Sequence, residues 1–190
     1  MSLSLLTPPA AIGLHPPIET RVMKRHQLLP TRCNSLWRVE RGFVRTTTVT
    51  EDGILIALGY WGAGDVVGHA MSQIVPYQIE CLTEVEVSLL PQEQWSQSVD
   101  DMLKHIHQVQ ELLSILSHHP AQQKLWKFLR FLAQNFGVEV EQGQLIPLLL
   151  SHEEIAETIN TTRVTVTRLI QQFEQEGLLL RQKRQLVLLD

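Results

Sequence analysis

Between residues 36 and 90 the apolar positions fall in short alternating runs separated by turn residues. Residues 36–45, LWRVERGFVR, alternate and lead to Glu51-Asp52-Gly53. An Asp-Gly pair between β-rich runs is a hairpin signal. Residues 54–61 form a second run, and Gly62, Gly64 and Gly68 then allow tight turns. Over residues 79–89 the period is two. Ile79, Cys81, Thr83, Val85, Val87 and Leu89 share one face, and Glu80, Glu84, Glu86 and Ser88 lie mainly on the other. These runs predict a small antiparallel roll over residues 21–98.

The period changes after residue 98. Met102, Ile106, Val109, Leu113 and Leu116 step by four and three, as a heptad seam does. Lys104, His105, His107, Gln108 and Glu111 fill polar positions between them. A seam this narrow suits a helix partner better than a roll surface, so residues 99–118 are expected to form a dimer helix. His118-His119-Pro120 marks a break. Residues 121–136 then read as an amphipathic helix with Leu125, Phe128, Leu129 and Leu132 on one face and Gly137 as its stop.

The last forty residues carry the most chemistry. Ser151 with Glu154 forms a capping box, Ile155 and Ile159 give an apolar stripe, and Ala156 admits a neighbouring helix. Asn160 and Thr161 suit a turn, because Asn tolerates the left-handed conformation. Thr162 caps a second helix, residues 162–176, with Val166, Leu169, Ile170 and Phe173 inward and Gly177 at its end. Two short helices about a tight turn make a helix-turn-helix pattern. Thr162, Arg163, Thr165 and Arg168 avoid the buried side, as a helix that meets phosphates and base edges requires. Arg163 suits guanine O6 and N7, and Val164 a thymine methyl. Ser151, His152, Thr161, Thr167 and Lys183 complete the expected contacts to double-stranded DNA. Lys183 lies with Arg181 and Arg184 between two β-rich runs, 178–180 and 186–189, that read as a wing.

Composition narrows the picture. With 190 residues, 44% hydrophobic and 19% charged, the chain can build a core. A formal net charge of -4 excludes a wholly basic nucleic-acid binder, so a DNA site must be a local patch. Residues 21–45 hold seven basic side chains and one acid, which reads as a solvated face. Residues 46–118 hold ten acids against Lys104 alone. Two cysteines, Cys33 and Cys81, cannot supply a disulfide framework or a four-cysteine metal site. Cys81 reads as core, and the two could pair only if the fold brings them together. No metal or cofactor is expected. Residues 1–20 read as a flexible Pro-rich arm, and without a membrane span or signal peptide the expected location is the cytoplasm. There is no nucleophile elbow, phosphate-binding loop or metal motif, and Glu153-Glu154 is explained by capping, so an enzyme is not expected.

Over residues 23–190 the chain resembles the CRP/FNR family of transcription regulators. The strongest stretch is residues 150–177. IAETINTTRVTVTRLI, with NFGVEV from Asn135, is most similar to the cyanobacterial global nitrogen regulator subgroup. The resemblance implies an α+β fold: a shortened cyclic-nucleotide-binding-like β-roll, a dimerisation helix at 99–118 and a winged helix-turn-helix at 119–190. It implies a homodimer on a GTA/TAC palindrome, with RNA polymerase as a further partner. Arg163 and Arg168 match the family's DNA-contacting arginines. The cyclic-AMP receptor branch has Glu where Val164 stands, so a TGTGA half-site is not expected.

The sensor half departs from the family pattern. Cyclic-nucleotide-binding members carry a Gly-Glu-Leu turn and a later Arg, whereas this chain has Gly68-His69-Ala70 and no Arg in residues 71–77. An anion there lacks its charge-assisted partner. The 2-oxoglutarate positions of the nitrogen regulator align with Val75, His105 and Gln110, which do not reproduce that chemistry. The effector pocket is therefore expected to be degenerate, and its effector is unknown. His69, His105 and His107, the conceivable haem ligands, read as solvated. The N-terminal cysteine group of iron–sulfur sensors is absent, and Trp37, Trp61, Trp95 and Trp126 read as packing. The alternative is an adaptor of the same fold with weak DNA binding, acting through a protein partner of the acidic stretch.

Overall fold

The structure, a computed structural model, describes residues 19–31, 34–118 and 120–189. Two antiparallel sheets make the N-terminal roll. One has the order β1 (Thr20–Met23), β7 (Val85–Leu90), β2 (Leu36–Arg41), β5 (Val66–Val67). The other has the order β4 (Leu55–Trp61), β3 (Val44–Val49), β6 (Gln78–Cys81). The run 36–45 is thus two strands in different sheets. Gly42 makes the switch at a φ of 85°, and a Cβ there would strike the Glu84 carbonyl. The alternation over 79–89 is likewise cut at residues 82–84. It persists across the cut because both strands turn into one interior, where Ile79, Cys81, Val85 and Val87 are fully buried. Thr20, the last residue of the expected arm, pairs with Ser88 in β1. Residues 1–18, and with Cys33 the question of a cysteine pair, lie outside the described residues.

Helix α1 (Val99–Leu116) follows a 3-10 segment, Gln92–Ser98. Arg38 anchors its start through Asp101 at 2.8 Å. Helix α2 (Ala121–Phe136) covers the predicted span and buries Leu125, Phe128, Leu129 and Leu132. Gly137 ends it for a different reason than a left-handed cap. Its φ is −63°, but a Cβ would collide with the Ala133 carbonyl. Strands β8 (Val138–Val140) and β9 (Gly143–Ile146) form a hairpin not anticipated from the sequence. Helices α3 (His152–Ile159) and α4 (Arg163–Gln175) precede the wing, β10 (Leu179–Gln182) and β11 (Gln185–Leu189). Strand β11 also pairs with β9, giving the order β10-β11-β9-β8. Among the described residues no helix is long and apolar enough to cross a membrane.

The roll and the helix-turn-helix share packing. Ala57, Tyr60 and Leu82 belong to the same buried cluster as Phe128, Ile155 and Val166. The Tyr60 and Phe128 rings meet at 5.4 Å. Tyr60 Oη lies 2.6 Å from Thr158 Oγ1, which itself donates to the Glu154 carbonyl at 2.7 Å. A threonine hydroxyl has one proton, so Tyr60 is the donor. Arg45, expected on a solvated face, is only 6% exposed. It bonds Glu80 at 2.8 Å and reaches Glu157 on α3 at 3.3 Å. A buried cation needs such partners, which the neighbouring basic residues on the surface do not.

Candidate nucleic-acid interface

The turn between α3 and α4 is built from local bonds. Ser151 Oγ accepts from the Glu154 amide at 3.1 Å, and the Glu154 carboxylate accepts from the Ser151 amide at 2.6 Å. Asn160 sits at a φ of 51°, as its small polar side chain allows. Lys124 of α2, largely buried, donates to the Asn160 carbonyl at 3.3 Å and so ties the turn to the preceding helix. Thr162 Oγ1 accepts from the Thr165 amide at 3.1 Å and caps α4. Val166, Leu169, Ile170 and Phe173 are buried beneath.

This packing turns a fixed set of side chains outward. Arg163, Val164, Thr167, Arg168 and Gln171 line one shallow surface groove along α4. Val164 is 77% exposed, although it is apolar. Thr167 Oγ1 donates to the Arg163 carbonyl at 2.9 Å, so the 2.7 Å contact with His152 Nδ1 must take its proton from the imidazole. Partial burial, then the charges of Arg181 and Arg163, lower the His152 pKa. The ring with its proton on Nδ1 leaves Nε2 as an acceptor. Thr161, Thr162 and Thr165 gather at the start of α4, and Ser151 and His152 at the start of α3. Ser151, Thr162 and Thr165 already serve as capping partners. Gln171 escaped the sequence reading, though its spacing from Arg168 and Thr167 would have placed it on the same face.

The wing stands beside α3. A cleft of about 410 Å³ separates them, lined in part by Ser151, His152, Arg181, Lys183 and Arg184. Lys183 adopts a φ of 59° in the two-residue turn that joins β10 to β11, and both turn side chains are exposed. Arg181 pairs with Glu174 of α4 at 3.2 Å.

The roll presents a different environment at Gly68-His69-Ala70. Its interior beside this turn is filled by rings. Trp61 is buried and donates through Nε1 to Thr46 Oγ1 at 3.1 Å. Gly59 leaves room for that indole, since a Cβ there would overlap it. His105 of α1 stacks on Trp61 with centroids 3.8 Å apart and planes 3° from parallel. Its Nδ1 also lies 3.0 Å from the Val66 carbonyl. Burial lowers the His105 pKa against the opposing pull of that carbonyl and Asp65. Burial raises the Tyr77 phenol to about 12, opposed by the Gly68 backbone and the Thr46 hydroxyl that face it. His69 meets the Tyr77 ring edge-on at 6.0 Å. His105 is thus not a solvated helix residue. Nor is Gln108, only 4% exposed and bonded to Asn135 at 3.2 Å. Both are polar positions that α1 turns inward. The buried Cys81 thiol is pushed up to about 11 by burial and then by Glu80, which leaves it unreactive.

The seam expected on α1 divides. Met102, Val109 and Leu116 pack against the three buried clusters of the protomer. Ile106 and Leu113 face outward, together with Val99 and Leu103. Leu113 is 65% exposed. The exposed stripe therefore keeps heptad spacing but is rotated from the one read in the sequence.

Comparison with known proteins agrees with this arrangement. Residues 123–190 match the model of the Crp-like helix-turn-helix domain. The chain is 35% identical to the Regulatory protein CysR of Synechococcus elongatus over 97% of its length and 90% of that protein. The Global nitrogen regulator of a Nostoc species is 37% identical, but over 50% of this chain and 47% of that one. The subgroup resemblance is thereby confined to part of the chain, whereas the match to CysR is nearly complete. A CRP-family transcriptional regulator of Thermus thermophilus has the same fold, with a TM-score of 0.73 and 26% identity over 90% of this chain and 92% of the other. The capped helix-turn-helix with its wing, the roll and the long helix between them, and the near full-length match together show that the chain belongs to the CRP/FNR family of DNA-binding transcription regulators.

Proposed function

We propose that the chain works as a homodimer that reads a GTA/TAC-type palindrome and does so without a classical effector. The observation that carries the reading of sequence is the face of α4, where Arg163, Val164 and Arg168 stand exposed beside the half-buried Thr167. Arg163 offers two parallel donors to guanine, and Val164 offers an apolar surface to a thymine methyl. Arg168, Ser151, His152, Thr161, Thr162, Thr165, Thr167 and Lys183 meet phosphates and sugars around that contact, with the amides at the starts of α3 and α4.

Dimerisation is supported by the outward stripe Val99, Leu103, Ile106 and Leu113 on α1. A homodimer paired along this stripe would need its two α4 helices in successive major grooves, about 34 Å apart. Effector independence is supported by the roll interior, where Trp61, Tyr77 and His105 fill the space beside Gly68-His69-Ala70.

Fluorescence anisotropy with a palindromic and a scrambled duplex, at one stated salt concentration, tests the reading. Arg163→Ala is expected to weaken the palindrome by about 10- to 100-fold per half-site and to leave the scrambled duplex nearly unchanged. An equal loss on both duplexes would show that α4 does not read bases. Equal, weak binding of the wild type to both would favour the adaptor reading.

A further inference from the structure

We propose that Arg25, which belongs to the β-roll and not to the helix-turn-helix, grips the DNA phosphate backbone, so that both halves of the chain build the DNA-binding surface. The inference rests on the α3–α4–wing unit being the face that meets DNA. It starts from the cleft between α3 and the wing. Arg25 lines that cleft together with Arg181, Lys183 and Arg184, and no acidic side chain lines it among the described residues. On a chain with a formal net charge of -4 this is a concentrated exception. Arg181 already has Glu174 as partner.

Arg25 is held where this role requires it. Its Nη2 donates to the Leu149 carbonyl at 3.1 Å, two residues before the Ser151 cap of α3. A guanidinium carries five N–H donors, so most remain for an anion. The turn that bears it is tied down by hydrogen bonds. The His26 amide donates to the Cys81 carbonyl at 2.7 Å, and the Cys81 amide donates to the Gln27 carbonyl at 2.9 Å. The Gln27 side chain accepts from the Lys24 amide at 2.8 Å, and His26 Nδ1 lies 3.0 Å from Glu80. Little conformational freedom is lost when such a side chain binds. The occupant is a nucleic-acid backbone because the cleft is continuous with the starts of α3 and the wing tip, where the phosphate path runs. A guanidinium–phosphate contact adds affinity without sequence information.

Salt titrations of DNA binding separate this role from mere bracing of Leu149. Wild type, Arg25→Gln and Arg25→Lys are each titrated with the palindromic and the scrambled duplex. Arg25→Gln is expected to weaken both duplexes by the same factor, about 3- to 10-fold near physiological salt. It should also lower the slope of log K against log salt by about one per half-site engaged. Arg25→Lys should retain the slope. Glutamine keeps an N–H for the Leu149 carbonyl, so a slope unchanged in Arg25→Gln overturns the proposal whatever the affinity does. Loss on the palindrome alone overturns it too. If the wild type shows no preference for the palindrome, the reading of α4 fails, while the slope on the scrambled duplex still decides the role of Arg25.

Discussion

The two ends of this molecule treat polar and aromatic side chains in opposite ways. Helix α4 keeps Arg163, Thr167 and Arg168 outward over a dry underside, and even Val164 stands in solvent. The roll draws Trp61, Tyr77 and His105 inward against Thr46 and the Gly68 turn. One surface is exposed, whereas at the other the chain's own rings pack together. Closure of the roll also fixes α1, because His105 belongs to the helix and Trp61 to the roll. The contrast is what the proposed effector-independent reading rests on: an exposed α4 face at one end, and rings packed beside the Gly68 turn at the other.

Removing the ring that closes the roll should have the largest effect. Trp61→Ala deletes a buried indole and its stack, and should cost about 3–5 kcal/mol in urea denaturation. Indole added to that variant should restore part of the loss, because it can re-enter an apolar cavity. A cost under about 1 kcal/mol would mean that the ring does not close the roll.

The outward stripe of α1 is the proposed subunit contact. Leu113→Glu should give monomers in sedimentation and reduce palindrome affinity by about 100-fold or more, because two half-sites no longer bind together. A dimer that survives the change would place the subunit contact elsewhere.

A smaller effect is expected where the ends meet inside one protomer. Tyr60→Phe leaves the buried Thr158 hydroxyl without its donor. The expected cost is about 1 kcal/mol, seen as a fall of about 2–4 °C in Tm. No change would show that the shared core, not this bond, holds the two units together.

The smallest effect is in pH. His105 is neutral in the fold and its pKa is lowered by burial. The unfolded chain then binds a proton more readily, so stability is fully present above about pH 6.5 and is lost as pH falls from there toward the lowered native value. His105→Asn should reduce the slope of that part of the stability curve, with the remainder due to His152, whose pKa is also lowered. A wild-type curve already flat there would contradict the burial of the ring.

What could be read from sequence follows the range of the interactions involved. The caps of α3 and α4, the left-handed Asn160 and the dry side of α4 depend on neighbours a few residues away, so they were legible. The roll was legible as strands but not as two sheets. Gly42 turns the chain through contact with Glu84, which is remote in sequence. His105 and Gln108 look like solvent residues within their own helix pattern. Their partners, Trp61 and Asn135, come from other elements, and no helical period reports them. The same holds for Arg45, whose charge found Glu157 across the molecule. The hairpin β8–β9 was missed because its strands are short and only half covered.

The proposed function has α4 reading DNA without a small molecule bound in the roll. The direct test is the affinity of the ligand-free protein for the GTA/TAC palindrome and for a scrambled duplex, at fixed near-physiological salt, before and after addition of cyclic AMP or 2-oxoglutarate. Tight, selective binding without ligand is expected, with no change on adding either. Selective binding that emerges only with one of these ligands would contradict it.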